Sequence, residues 1–528
     1  MEAMASSIAP PPTRSSVGFQ NLMAGQETNA FFKVGLALTL FQVFAMVARL
    51  PEMLSIKFGT SLYFIPILTT ILLVIGLVTG AIGRVASTKS GMFWLLFLFW
   101  VVITLPFSGN KGGSLGAWIE VMKRAPLLFF VGGFASQSPK SLRQTVWAFI
   151  WTGVTVLLWV AFFGETTTDD NDRLSSDSRG TFGNANELAM MMTFLIPFVG
   201  FVAGNSRYKL ITRLISGLLI PVCSFIALRT GSRGGLLSLV MMGMIVFWKG
   251  SATNKIRIIV VGVMLALVMF PLIPEKNRQR LSTLFSSDVR ADTESVASAN
   301  SRRDLLIESI QTTIRHPLTG VGLGVYLDVV GAEAVKEGRT VHWQVSHNAY
   351  TEISAETGVI GLILWLSAIV FSFKHLSYAR RVCQNVPELA EMSAVASAVT
   401  MSLTMFMFNG LFTSMATSHT LFALCGFSIA TYFVARRYET NSRLFANAAS
   451  QAQGSEATSS EQKRLFDRDD FQTHGLGTSD HPAPTSGKPY STTTLKAEAK
   501  ALKAKTNQDA PWRRNPRKYP PPPGTPSR

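Results

Sequence analysis

A series of apolar runs, each long enough to cross the roughly 30 Å hydrocarbon layer of a bilayer, constrains this chain more than any other feature. They fall at residues 29–48, 62–83, 92–107, 117–136, 145–164, 186–204, 208–228, 232–248, 256–273, 357–373, 392–413 and 418–435. In lipid, every peptide group must find its partner within the protein, so each run predicts a helix. The fourth is interrupted by Glu120, Lys123 and Arg124, and the eighth opens on Gly234-Gly235 and is short. The expected fold is an all-α integral membrane domain of about twelve helices.

Composition supports that reading where it bears on partners. Charged residues make up 15% of the 528, against roughly 25% in soluble domains. A net charge of +17 often signals nucleic acid, but a DNA binder carries its charge on folded, largely polar domains. Here the 36 Phe and 10 Trp sit mostly in apolar runs. No nucleic-acid partner is expected; the polyanions to expect are membrane lipid headgroups or phosphorylated substrates. Cys223, Cys383 and Cys425 are too scattered for a disulfide framework or a zinc site.

Lys and Arg fix an expected orientation, because cytoplasmic connectors carry the excess. Alternate connectors hold thirteen against seven, the richer set including Arg84, Arg143, Arg207, Lys249 and Arg380. Both termini are then cytoplasmic. The expected divisions are a cytoplasmic segment 1–28, membrane helices over 29–273, a large outer loop 274–356, further membrane helices over 357–437 and a basic tail 438–528. The polar stretch before Phe31 shows no cleavage pattern, so the first helix reads as an uncleaved anchor. From Tyr438 onward there is no Ile, Val or Met, and such a tail predicts disorder. Within the outer loop, Ser301-Arg302-Arg303-Asp304 predicts a capping box. Leu306, Ile307, Ile310 and Ile314 then predict an apolar helix face turned toward the membrane domain, ended by His316-Pro317.

Three polar groups fall at the expected outer face, where ionisable residues carry the most information. Arg229-Thr-Gly-Ser-Arg233-Gly-Gly places two arginines on a turn; Arg grips phosphate through its planar fork, but it also snorkels at helix ends. Arg179-Gly-Thr-Phe-Gly-Asn-Ala-Asn186-Glu187 leads into the sixth helix and suits either a polar entrance or plain capping. Ser346-His347-Asn348-Ala-Tyr350-Thr-Glu352 runs through Glu356 into the tenth helix; His347 is a candidate general base, with His419 a weaker rival. Gly320-Val-Gly-Leu-Gly324 lacks the strand–turn–helix setting of a phosphate loop. Asp169-Asp170-Asn171-Asp172 reads better as a solvated acidic loop than as a cation site.

In order, these motifs resemble the O-antigen ligase and polymerase superfamily of bacterial membrane glycosyltransferases. The resemblance rests on Thr230-Gly-Ser232-Arg233-Gly, on Arg302 or Arg303 in a helix ending at His316-Pro317-Leu-Thr-Gly-Val-Gly322, and on Ser346-His347-Asn348 followed by Glu356-Thr-Gly. It implies a C-type glycosyltransferase membrane fold in the inner membrane and a glycan donor on undecaprenyl diphosphate. It also implies a lipid A-core or glycan acceptor, inversion at the anomeric carbon, and no metal or other cofactor. On that resemblance His347 is the base, while Arg179, Arg229, Arg233 and Arg303 bind the diphosphate. Asn186, Asn348, Glu352 and Glu356 support them. The rival class is a twelve-helix transporter or flippase, which predicts related halves and polar residues at mid-membrane. No internal repeat is evident.

Overall fold

A computed structural model describes residues 29–59, 64–163, 165–166, 174–175, 184–282, 293–338, 346–384 and 386–472. The chain begins with α1 (Ala30–Val47), α2 (Leu50–Phe58), α3 (Phe64–Val78), α4 (Ala81–Ala86) and α5 (Lys89–Thr104). It continues through α6 (Lys111–Arg124), α7 (Pro126–Phe134) and α8 (Pro139–Phe163) to a two-residue antiparallel ladder, β1 (Glu165–Thr166) with β2 (Leu174–Ser175). Then come α9 (Ala185–Gly204), α10 (Leu210–Arg229), α11 (Arg233–Lys249), α12 (Ala252–Met269) and α13 (Glu275–Ser282). The remaining helices are α14 (Thr293–Arg315), α15 (Tyr326–Lys336), α16 (Ala349–Gln384), α17 (Ala390–Asn409) and α18 (His419–Gln472).

Among the described residues, eight helices are long and apolar enough to cross a membrane. α12 shows why the surrounding solvent is lipid: Ile256, Val260, Val263, Met264 and Leu267 are all exposed, an apolar surface that water would penalise. This is an all-α integral membrane protein. The core lies where α9 packs along α10 and α17, and α16 along α5 and α17. Its centre is aromatic, with Phe149 stacked on Phe198 at 4.9 Å and on Phe427 at 6.0 Å. Gly153 lets α8 approach α9, since a Cβ there would meet a Leu195 methyl at 1.9 Å; small residues serve this purpose between membrane helices.

Every expected apolar run is helical over most of its length, but several boundaries differ. The run 62–83 divides into α3 and α4 at Gly80, in the left-handed region at φ 66°. The run 117–136 is not one helix: it divides into α6 and α7 at Ala125-Pro126, where proline has no N–H to continue the ladder. α14 starts at Thr293, so Ser301 lies inside the helix and not at its start.

The buried side of α14 also differs from the expected one. Leu305, Ser309 and Thr312 are buried against its neighbours, while Ile307, Ile310 and Ile314 are exposed. The helix meets α16 through hydroxyls, with Thr313 Oγ1 and Ser354 Oγ 2.8 Å apart. Apolar periodicity identifies a helix, but in a membrane protein the apolar side need not be the inner one. α18 runs on to Gln472, through a stretch expected to be a disordered tail. Once a span has nucleated a helix, extension through Ala-, Gln- and Glu-rich sequence costs little. Residues 1–28 and 473–528 lie outside the described residues.

At one end of the bundle, the buried Glu391 carboxylate accepts from Arg143 at 2.9 Å, Arg207 at 2.8 Å and Asn205 at 3.2 Å. The opposite end gathers the polar motifs.

Candidate active site

The turn between α10 and α11 is organised by its own hydroxyls. Ser232 caps α11, its Oγ accepting from Gly235 N at 3.2 Å and donating to Asn186 Oδ1 at 2.9 Å. The Asn186 and Ser232 motifs, well separated in sequence, therefore meet. Asn277 extends from α13 to donate to the Arg229 carbonyl at 2.9 Å. Arg229 and Arg233 are both half-buried at this turn. The paired glycines serve close packing: a Cβ on Gly234 would crowd Phe412 at 3.0 Å, and one on Gly235 would meet Ala189 at 2.8 Å.

The His347 motif reaches the same corner. Ala349 N donates to Gly410 O at 2.8 Å, and Asn348 Nδ2 to Leu411 O at 3.4 Å. Phe412, against which Gly234 packs, is the next residue. Asn348 Oδ1 accepts from Tyr350 N and Thr351 N at 3.0 and 3.2 Å, opening α16. Tyr350 Oη donates to Met407 O at 2.9 Å, and Trp365 Nε1 to Ala416 O at 2.9 Å. Residues 409–416 are thus the frame that holds the arginine turn and the histidine motif at one end of the bundle.

His347 itself has φ 52°, in the left-handed region, which costs a residue other than glycine roughly 1–2 kcal/mol. Ser346 and Asn348 hold the turn from both sides, Ser346 Oγ donating to Asn348 O at 3.1 Å. Burial first, and the positive charge of Arg302 second, bring the His347 imidazole down to about 4. Of the two adjacent arginines on α14, Arg302 is the one whose field reaches His347. Arg303, the residue carried over from the family resemblance, is exposed.

Glu356 has a scaffolding position. Its carboxylate accepts from the main-chain N–H of Gly324 and Tyr326, and its carbonyl accepts from Gly322 N at 3.0 Å. Val321 N donates to Ala355 O at 2.9 Å and Gly320 N to His316 O at 3.1 Å. The glycine-rich segment therefore spends its N–H groups on the protein and cradles no phosphate. Its glycines are required by contact: Gly322 sits at φ 115° with a would-be Cβ 2.1 Å from Ser108 Oγ. Gly358, at φ 71°, lies against the Leu318 carbonyl and kinks α16. Glu352 lies beside Ser414 and Glu356, and its field, with those of Glu308 and Glu356, reaches Tyr326.

Among the described residues, no three His, Cys, Asp or Glu side chains are grouped to hold a metal. Arg179 and Asp169–Asp172 lie outside the described residues. Two features were missed in the sequence: the 409–416 frame, read only as a helix end, and Arg49. Arg49 has φ 55° and pairs with Glu52 at 3.4 Å and with Glu187, beside Asn186, at 3.9 Å. An arginine directly before Leu-Pro at the end of a membrane helix was the available signal.

The fold defines a helical membrane protein with arginine, asparagine and histidine motifs collected at one end. Residues 217–366 match the family model described as O-antigen ligase. Over that span the chain carries an O-antigen ligase-like domain, in keeping with the order of motifs read from the sequence. Comparison with curated proteins found no match.

Proposed function

We propose that the protein transfers a glycan from undecaprenyl diphosphate to an acceptor hydroxyl, on lipid A-core or another glycan, at the outer face of the inner membrane. The observation that carries this reading is the meeting of the Arg233 turn and the His347 motif on the 410–412 corner, within a span matching O-antigen ligase.

The acceptor oxygen attacks the anomeric carbon from the face opposite the diphosphate. The carbon–oxygen bond to phosphate breaks, its electron pair leaves with undecaprenyl diphosphate, and configuration inverts. An imidazole nitrogen of His347 takes the acceptor's proton. Arg229, Arg233 and Arg179 stabilise the negative charge that grows on the leaving phosphate, and preorganised donors are most effective there. Asn186 and Asn348 fix the Ser232 turn and the start of α16. Glu352 and Glu356 brace α16 behind them.

Arginine charge makes a metal unnecessary in this scheme. Purified protein in nanodiscs, given labelled undecaprenyl-diphosphate glycan and a saccharide acceptor, should move label to the acceptor with undiminished rate in EDTA. Loss of transfer in EDTA would return Asp169, Asp170 and Asp172 to consideration as ligands.

The low His347 value gives a pH prediction with a definite sign. A cation beside imidazole opposes its protonation, so Arg302 lowers the value and a bound diphosphate raises it. The acid limb of kcat/KM reports the free enzyme and that of kcat the complex. The kcat limb should therefore lie at higher pH than the kcat/KM limb. Arg302→Gln should move the kcat/KM limb upward from near 4, toward but short of the ordinary histidine value because burial persists. Coincident limbs, unmoved by Arg302→Gln, would contradict His347 as the base.

A further inference from the structure

A cavity of about 520 Å³ lies among α1, α2, α3, α6 and the start of α18. It includes none of His347, Arg229 and Arg233, and its walls carry both charged and apolar side chains. Arg49, Lys123, Arg124 and His419 line it together with Glu52 and Glu120, and Ile65, Ile119 and Met122 supply apolar wall. His419 is 8% exposed, and both its ring nitrogens are buried without a hydrogen-bond partner. The Nε1 of Trp118, also in the wall, is likewise buried and unsatisfied. Buried polar atoms without partners are rare, and each calls for an occupant or another cause.

The charges point to the sign of that occupant. Arg49 is held by Glu52 and Glu187, and Lys123 by Glu120 at 2.5 Å. Among the described residues Arg124 has no carboxylate partner. Its charge and that of Arg49 both act on the His419 ring. Cations so close to one another, beside an unfilled donor, favour an anion.

The apolar wall points to the rest of the molecule. Ile119 and Met122, which line the cavity, are 44% and 37% exposed. The α3 wall continues onto the exposed Ile67, Ile71 and Val74, a lipid-facing surface. A free inorganic anion has no use for such walls, whereas a lipid can lay its chains along them.

We infer that this cavity binds the phosphate headgroup of a membrane lipid, with Arg124 and His419 donating to the phosphate and the acyl chains leaving along α3. The site stands apart from glycan transfer and does not depend on it. Its wall is nevertheless one ion pair from the Asn186–Ser232 contact, through Arg49 and Glu187.

The test is native mass spectrometry of the full chain in neutral detergent, offered phosphatidylglycerol or phosphatidylcholine. Wild-type protein should retain one phosphatidylglycerol in clear preference to phosphatidylcholine. Arg124→Gln and His419→Gln should each reduce retention by about tenfold, the loss of one charge-assisted hydrogen bond. Thr70→Trp, from an exposed position on α3, should block the mouth without altering charge, and so tests the site if the other variants misfold. Lys374→Gln, on the far half of α16, should retain lipid as wild type does. Equal retention of the two lipids, or undiminished retention in the Arg124, His419 and Thr70 variants, would overturn the inference. Displacement of the lipid by millimolar inorganic phosphate would reassign the cavity to a free anion and equally overturn it.

Discussion

His347→Asn should cut glycan transfer by roughly 10²–10⁴-fold, the usual cost of removing a positioned base, with the protein still inserted and abundant. Asparagine is the informative substitution because it tolerates left-handed backbone, which His347 adopts at φ 52°. The Ser346–Asn348 turn and the start of α16 should survive, so lost transfer reports lost chemistry. His347→Ala should lose as much transfer and fold less well than His347→Asn, since alanine has no side chain to ease the left-handed backbone as asparagine does. The measurement is initial rate in nanodiscs beside a thermal-unfolding curve for each variant. Full activity in His347→Asn would remove the base from this position.

Arg233→Lys should fail almost as badly as Arg233→Ala. Lysine keeps the charge but loses the planar fork that makes two parallel hydrogen bonds to phosphate. Arg233 sits at the first residue of α11, directly after the Ser232 cap, and is half-buried. A side chain that merely snorkelled to the interface would be replaced by lysine with little loss. Rates for the two variants on the same donor decide between a forked contact and a surface cation. Restoration by lysine would sink the clamp.

The membrane fold was legible because crossing a bilayer demands long apolar runs, a property of local sequence. A break written in a single residue, such as Pro126, is legible only in part: the charges before it interrupt the apolar run, but the division into α6 and α7 emerges only in the fold. α14 shows where periodicity ends. Its helical spacing was correct, but its start and its buried side depended on the neighbour it met. The same ambiguity separates two adjacent arginines: Arg302 and Arg303 stand about 100° apart around a helix, and only the placed helix turns the field of Arg302 onto His347. Convergence of the motifs was likewise invisible locally. It rests on Asn186 with Ser232 and on Ala349 with Gly410, pairs that only the bundle brings together. Nor does Gly234-Gly235 reveal from sequence what it packs against; the neighbours are Phe412 and Ala189.

In the proposed function the two motifs that share the 410–412 corner do different work: the arginine turn holds the donor's diphosphate, and His347 takes a proton only as transfer occurs. Equilibrium binding of undecaprenyl-diphosphate glycan to wild type, His347→Asn and Arg233→Ala, without acceptor, tests that division most directly. His347→Asn should bind within about twofold of wild type, and Arg233→Ala should bind about tenfold or more weakly, as expected for a lost charge-assisted contact. Donor binding unchanged in Arg233→Ala, or abolished in His347→Asn, would contradict it.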